Sequence, residues 1–350
     1  MPSNRISVLI VDDSAFSRQT IRKMLETGSA IEVVAVATDG IDAMAKSLRY
    51  KPDIITLDFE MPEMDGFSFL RWVMKERPTP VIMVSSYGDS STVFKALELG
   101  AVDFIAKPTK RASLELKNIE HDLLAKVNNI EKHSLRKLQD NLELLAEAKT
   151  ISSDIPAQHV AADIIAIGSS TGGPAALQII LTRLPAQFPS ILISQHMPSG
   201  FTKPLAERLN RLTSIAVKEA EDNERIVPST AYICPGGVHL EVKKKNGAYY
   251  TNLRVPSQSD RYVPSVDIMM RSVSDCFGSK SIGVLLTGMG DDGKKGMLEI
   301  KSRGGYTIAE SEETAVVFGM PKEAIKAGAA SSIKPLSDIP NELVKILKKG

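Results

Sequence analysis

The stretch ISVLIVDDS, residues 6–14, decides the fold: an apolar, β-branched run of strand length stops abruptly on two aspartates and a serine. Working outward, IEVVAVA (31–37), DIITL (53–57), PVIMVS (80–85) and VDFIA (102–106) repeat the pattern, each followed by a polar or amphipathic stretch. Five such βα repeats predict a parallel sheet with helices on both faces, a flavodoxin-like (βα)5 domain whose sites form at the carboxyl ends of the strands.

At 350 residues the chain is long enough for two domains with separate cores. Hydrophobic residues at 43% and charged residues at 24% are ordinary globular usage. A formal net charge of +1 provides no overall field for nucleic acid or an anionic membrane, so local sites must carry the function. Cys234 and Cys276 are too few for a disulfide scaffold or a thiolate zinc site and are expected as reduced, buried thiols. The opening MPSNRISVLIVDDS fits neither a signal peptide nor a spanning helix, which makes the cytoplasm the expected location.

Residues 111–150 contain no glycine or proline and carry apolar residues at spacings of three and four, which predicts a long helix. The step of five from Ile130 to Leu135 breaks the phase, so the helix is only a weak candidate for dimerisation. ISSDIPAQ (151–158) reads as a joint. Beyond it, IIAIG, ILISQ, AYIC, SIGVLLT and YTIAE alternate with helical patterns, predicting a second doubly wound, mostly parallel α/β domain. KKKNGAYY (243–250) interrupts it as a hairpin, with Asn246 and Gly247 in a type I′ turn. The expected domains are therefore 1–124, a helical linker and joint over 125–160, and 161–350.

Asp12 and Asp13 close the first predicted strand, Asp58 the third and Ser85 the fourth, while Lys107 stands just past the fifth. Three carboxylates at one sheet edge repel by on the order of a few kcal/mol per pair at an effective dielectric of roughly 20 unless a cation sits among them. Mg²⁺, a hard ion that takes carboxylate, carbonyl and water oxygens, suits such a site. VDDS, LDFEMPEMDG, MVSS and the Lys107-Pro108 pair, in this order and spacing, resemble the receiver domain of two-component response regulators. The resemblance implies that Asp58 accepts phosphate from a histidine kinase, that Asp12 and Asp13 hold Mg²⁺ with the backbone carbonyl of Glu60, and that Ser85 and Lys107 read the phosphoryl group. It puts Phe104 in the place of the aromatic that rotates on activation.

In the second domain, IIAIGSSTGGPAAL (164–177) reads as strand, glycine-bounded turn and helix, with Ser170 at the apex. GSSTG fits the spelling of a nucleophile elbow, although a glycine-rich phosphate cradle would look similar. A serine nucleophile needs a base, and His121, His133 and His159 fall in the linker region. His196 directly follows ILISQ and so emerges at the same edge as Ser170, whereas His239 lies within a strand-like run and suits a structural hydrogen-bonding role. The orienting carboxylate is sought after SIGVLLT, where Asp291 and Asp292 both qualify.

The order serine, histidine, aspartate differs from that of α/β-hydrolases. GSSTGGP, QHMPSGFT, PGGVHL, PSVDIMMRSV, LLTGMGDDG and VVFGMPKEAI instead resemble the catalytic domain of the CheB chemotaxis methylesterase family, with Cys234 standing where a small residue is usual. That resemblance implies Ser170 as nucleophile, His196 as base and Asp292 as acid, with Thr171 and Met289 shaping the site or offering amides to an oxyanion. It further implies methylesterase and glutamine deamidase activity on methyl-accepting chemoreceptors, with no cofactor for the ester step, and a receiver that covers the cleft until Asp58 is phosphorylated. On the residues alone, a phospho-dependent adaptor without esterase activity and the same hydrolase acting on a non-chemotaxis receptor remain alternatives.

Overall fold

The structure, a computed structural model, describes residues 5–85, 90–107, 113–130, 132–146 and 162–348. The chain divides into two compact units, Met1–Gln139 and Asp140–Gly350. The first holds β1 (Ile6–Val11), α1 (Ala15–Glu26), β2 (Ile31–Ala37), α2 (Gly40–Tyr50), β3 (Ile54–Asp58), α3 (Gly66–Glu76), β4 (Val81–Ser85), α4 (Ser90–Glu98), β5 (Asp103–Ala106) and α5 (Ser113–Asn129). Its five strands are parallel in the order β2-β1-β3-β4-β5. The order reverses direction at β1 and β3, and this switch point opens a crevice at their carboxyl ends.

The helix expected over 111–150 is instead two, α5 and α6 (Lys132–Ala146). A step of five residues turns the side-chain direction by about 140° relative to the stripe, so a straight helix would expose either Ile130 or Leu135. The break lets both be buried, together with Leu138. The division between the units falls inside α6. The predicted joint, including His159, and Pro108 lie outside the described residues.

The second unit continues with β6 (Ile164–Ser169), α7 (Gly173–Leu181), β7 (Ser190–Gln195), α8 (Thr202–Leu212), β8 (Ala216–Glu219), β9 (Thr230–Ile233), β10 (His239–Lys245) and β11 (Ala248–Arg254). It closes with α9 (Val266–Phe277), β12 (Ser281–Leu285), α10 (Lys294–Ser302), β13 (Tyr306–Glu310), α11 (Met320–Lys326), β14 (Ser332–Lys334) and α12 (Ile339–Leu347). Seven parallel strands run β14-β13-β12-β6-β7-β9-β8, so the chain starts in the middle at β6, builds outward through β7, and then crosses to β12. The crevice at the carboxyl end of β6, flanked by β7 and β12, is again the switch point. β10 and β11 form the predicted antiparallel hairpin, with Asn246 at φ 52° and Gly247 at φ 78° as a type I′ turn requires.

One glycine ties the first unit's sheet to its acidic edge. Asp65 caps α3 by accepting the Ser68 N–H at 2.7 Å, which brings Gly66 down onto the chain leaving β3. A Cβ at Gly66 would stand 2.3 Å from the Asp58 carbonyl oxygen and 2.6 Å from Phe59 Cα. Because both neighbours are backbone, Gly66→Ala is expected to destabilise this unit by about 1–3 kcal/mol. Urea unfolding followed by fluorescence of Trp72, the chain's one tryptophan, measures this because Trp72 lies on α3. An unchanged midpoint would show that the loop yields freely.

Candidate active site

Asp12 lies one residue beyond β1 and Asp58 closes the adjacent β3, and with Asp13 they present carboxylate oxygens all within 4.8 Å of one another. Lys107, one residue past β5, bonds the Asp58 carboxylate and stands 3.6 Å from Asp12 Oδ2. Asp12 Oδ1 accepts the Ser14 N–H at 2.8 Å, but its Oδ2 is buried with no hydrogen bond. Burial and the Asp58 charge push the Asp12 carboxyl up to about 6, against the opposing pull of Lys107. Burial likewise raises Asp58 despite its bond to Lys107. Lys107 itself is raised, because its carboxylate neighbours outweigh its own burial. Buried carboxylates in excess of their cations, one with an orphaned oxygen, fit a hard divalent cation.

Of the other receiver residues, Ser85 pairs with Ala106 at the end of β4, although its side chain lies outside the described set. Glu60 is exposed in the loop two residues beyond Asp58. Phe104 is buried in β5, and Lys126 from α5 lies 5.5 Å from its ring centroid while donating to its carbonyl.

In the second unit, β6 and β7 pair in register to Ser169 and Gln195, so the next residues out, Ser170 and His196, leave the sheet side by side about 4.8 Å apart along the strand-to-strand direction. The His196 N–H donates to the Ser169 carbonyl at 2.9 Å. Ser170 then turns into α7 through Gly172 at φ 77°, with Pro174 in the first turn. Asp292 arrives from the loop after β12, and its Oδ2 lies 2.8 Å from His196 Nε2.

The Asp292 carboxylate is buried but richly served. Oδ2 also accepts the Val266 N–H at 2.7 Å, while Oδ1 accepts the Asp267 N–H at 2.9 Å, the Ser265 hydroxyl at 3.0 Å and the Gly293 N–H at 3.1 Å. Burial alone would raise its pKa, but the His196 bond and charge and the amides at the start of α9 outweigh it and hold the carboxyl below its ordinary range. With Asp292 an acceptor only, His196 Nε2 must be the donor, which leaves Nδ1 as the basic nitrogen. This is the reverse of the usual triad, where Nδ1 faces the acid.

The structure separates the two pairs of candidates. Asp292 meets His196, whereas Asp291 bonds Lys294 at 3.1 Å and Tyr262 at 3.2 Å. His239 is fully buried, takes the Ser265 N–H on Nδ1 at 3.1 Å and faces Asp260 with Nε2 at 3.1 Å, which is the structural role expected of it. Thr171 is buried, and its carbonyl accepts the Thr287 hydroxyl at 2.8 Å, drawing the two glycine-rich loops together. Met289 is half-buried in the second of those loops. Gly288 lets that loop touch Ser170, since a Cβ there would lie 2.7 Å from Ser170 Cβ and 2.4 Å from Met320 Sδ.

Three participants were not read from the sequence. Gln195 donates to the carbonyls of Ser170 at 2.9 Å and His196 at 3.1 Å and accepts the Ser169 hydroxyl at 2.6 Å, bracing both loops from beneath. Ser265 supplies both a cap to α9 and a donor to Asp292. Tyr262 stacks on His196. The alternation that places Gln195 on the last strand position was available, but nothing in it specifies an amide.

Comparison with known proteins gives two family matches: CheB methylesterase over residues 165–343 and response regulator receiver domain over residues 8–118. The protein-glutamate methylesterase/protein-glutamine glutaminase 3 of Geobacter sulfurreducens is 44% identical, covering 97% of both chains. Its namesake from Archaeoglobus fulgidus is 43% identical over 97% of this chain and 98% of its own. The crystal structure of the Thermotoga maritima CheB methylesterase catalytic domain is 45% identical, with a TM-score of 0.52, and matches 53% of this chain and 100% of that one.

The acidic cluster yields a test with two opposite signs. Removing the charge of Asp12 relieves repulsion in the metal-free protein, so Asp12→Asn is expected to raise the melting temperature of the receiver in EDTA. The same change removes a ligand, so the rise in melting temperature that Mg²⁺ confers on wild type is expected to disappear. Calorimetry on both proteins, with and without Mg²⁺, reads both effects; an Asp12→Asn protein still stabilised by Mg²⁺ would exclude Asp12 as a ligand.

Proposed function

Because the chain belongs to the CheB methylesterase family, we propose that it is a cytoplasmic serine hydrolase that removes methyl groups from glutamyl methyl esters of methyl-accepting chemoreceptors, under control of phosphorylation at Asp58. The observation that supports the reading is that Ser170 and His196 leave adjacent strands at one switch point while Asp292 bonds His196 Nε2, which leaves Nδ1 as a base. Ser170 Oγ attacks the ester carbonyl as Nδ1 takes its proton. The imidazolium so formed lies against the Asp292 carboxylate, whose lowered pKa keeps it ionised. The Met289 amide, which donates to no backbone carbonyl among the described residues, is a candidate donor to the oxyanion, with Thr171 shaping the opposite side.

Collapse of the tetrahedral intermediate breaks the ester C–O bond, and methanol leaves with the proton from Nδ1. Water then attacks the acyl-enzyme, giving its proton to Nδ1, and Ser170 recovers that proton as the receptor glutamate is freed. A glutamine side chain differs only in releasing ammonia, which supports a deamidase activity on the same residues.

In the receiver, Asp58 accepts the phosphoryl group from a histidine kinase, and Lys107, already on its carboxylate, pairs with the new charge. Asp12, Asp13, Asp58 and the Glu60 carbonyl would hold Mg²⁺, which would neutralise phosphoryl oxygens there. Ser85, at the end of β4, is the proposed hydroxyl partner.

Methyl-labelled chemoreceptor membranes test both halves. Wild type is expected to release methanol faster with a small-molecule phosphodonor, whereas Asp58→Ala is expected to show one rate with or without it. Ser170→Ala is expected to lose at least about 10³-fold in rate. Receptor binding without methanol release from wild type would instead establish an adaptor, and equal rates for wild type and Asp58→Ala under both conditions would remove the switch.

A further inference from the structure

We propose that Tyr262 is a positioning residue that fixes the imidazole plane of His196, and that Asp291 is the anchor that holds Tyr262 in place. The inference rests on the reading of His196 as the base. A hydrogen bond from Nε2 to Asp292 fixes one edge of the ring but leaves its plane free to swing about that bond, which moves Nδ1. The His196 backbone is held by Ser169 and Gln195, which does nothing for the ring's rotation.

Tyr262 supplies the missing constraint. Its ring lies parallel to the imidazole within 4°, with centroids 5.2 Å apart. A flat surface stacked on a flat ring resists rotation out of the common plane. The tyrosine is itself immobilised at its far end, where its hydroxyl donates to Asp291 Oδ1 at 3.2 Å. Asp291 is in turn pinned by Lys294 at 3.1 Å and Arg261 at 3.4 Å, and the Arg261 guanidinium sits 4.9 Å from the Tyr262 ring centroid. Gly290 completes the seat: at φ 80° it lacks the Cβ that would come within 2.3 Å of the tyrosine hydroxyl.

The adjacent acids after β12 thus divide the work on one imidazole. Asp292 holds the edge directly, and Asp291 controls the face through Tyr262. Because both follow the same strand, a shift of this loop moves edge and face together and preserves their angle.

The test uses the full-length protein and two independent readouts. Tyr262→Ala is expected to lower kcat for methanol release about 10- to 100-fold, the scale of a misplaced catalytic group, with KM changed less than about twofold. Tyr262→Phe keeps the stack and is expected to recover most of kcat. Asp291→Ala frees the tyrosine hydroxyl and is expected to give an intermediate loss, and it serves if Tyr262→Ala does not fold. The second readout needs no substrate: the ring ¹⁵N shifts of His196 are expected to be narrow in wild type and displaced and exchange-broadened in Tyr262→Ala as the ring samples several planes, with Nε2 protonated in both because the Asp292 bond is retained. Unchanged kcat and unchanged shifts in Tyr262→Ala or in Asp291→Ala would overturn the proposal, as would failure of Tyr262→Phe to recover activity. Ser170→Ala and His196→Ala run alongside; methanol release that survives both would sink the reading of Ser170 as nucleophile and His196 as base, while the nitrogen shifts would still decide whether Tyr262 holds the ring.

Discussion

The second unit depends on one buried carboxylate. Asp292 sits where the loop after β12 becomes α10, yet its oxygens close the first turn of α9 by accepting the Val266 and Asp267 amides. Asp267 returns the favour, accepting the Gly296 N–H of α10 at 2.8 Å. Each helix therefore has its otherwise unpaired N-terminal donors satisfied by an aspartate from the other, a contribution of typically about 1 kcal/mol per cap. Gly296 permits the close approach, because a Cβ there would lie 2.5 Å from Met270 Cβ. The carboxylate bonded to His196 is consequently locked by the packing of two helices, and His239 extends the lock into β10 by accepting the Ser265 amide.

How much of this was legible follows from which interactions are local. Strand ends, the Asn246-Gly247 turn and the serine elbow are written in short segments, and all stand where the chain's periodicity puts them. β8 and β14 were missed because AVKE and SIK are too short to show a period. β14 reaches the sheet by register with β13 rather than by its own hydrophobicity. The phase break at Ile130 was visible, but its consequence was misread as a flaw in one helix when burial of both stripes demands two. Ser170 and His196 could be placed side by side from the sequence because adjacent parallel strands carry them outward in register. The acid was not assignable by the same reasoning, since Asp291 and Asp292 end one strand equally well. Only the α9 amides, 25 and 26 residues earlier in the chain, distinguish them. Tyr262 was beyond reach for the same reason: stacking between residues on separate loops has no sequence period.

The two units place carboxylates at the same kind of topological crevice and give them opposite electrostatic characters. At the first, Asp12 draws on one amide, from Ser14, and its second oxygen has no hydrogen bond. Burial and Asp58 then drive its pKa up to about 6. At the second, Asp292 has three amides, a hydroxyl and an imidazole, and its pKa falls although it is similarly buried. The difference lies in the neighbours: Asp12 faces a second carboxylate with one amide, whereas Asp292 faces an imidazole with three amides and a hydroxyl. Asp12 keeps lone pairs available to a cation, at the expense of repulsion in its absence. The lone pairs of Asp292, by contrast, are committed to fixed donors, which keeps that carboxylate ionised and immobile. Fixed donors and the charge of the nearest neighbour thus separate a carboxylate that resists ionisation from one that holds its charge.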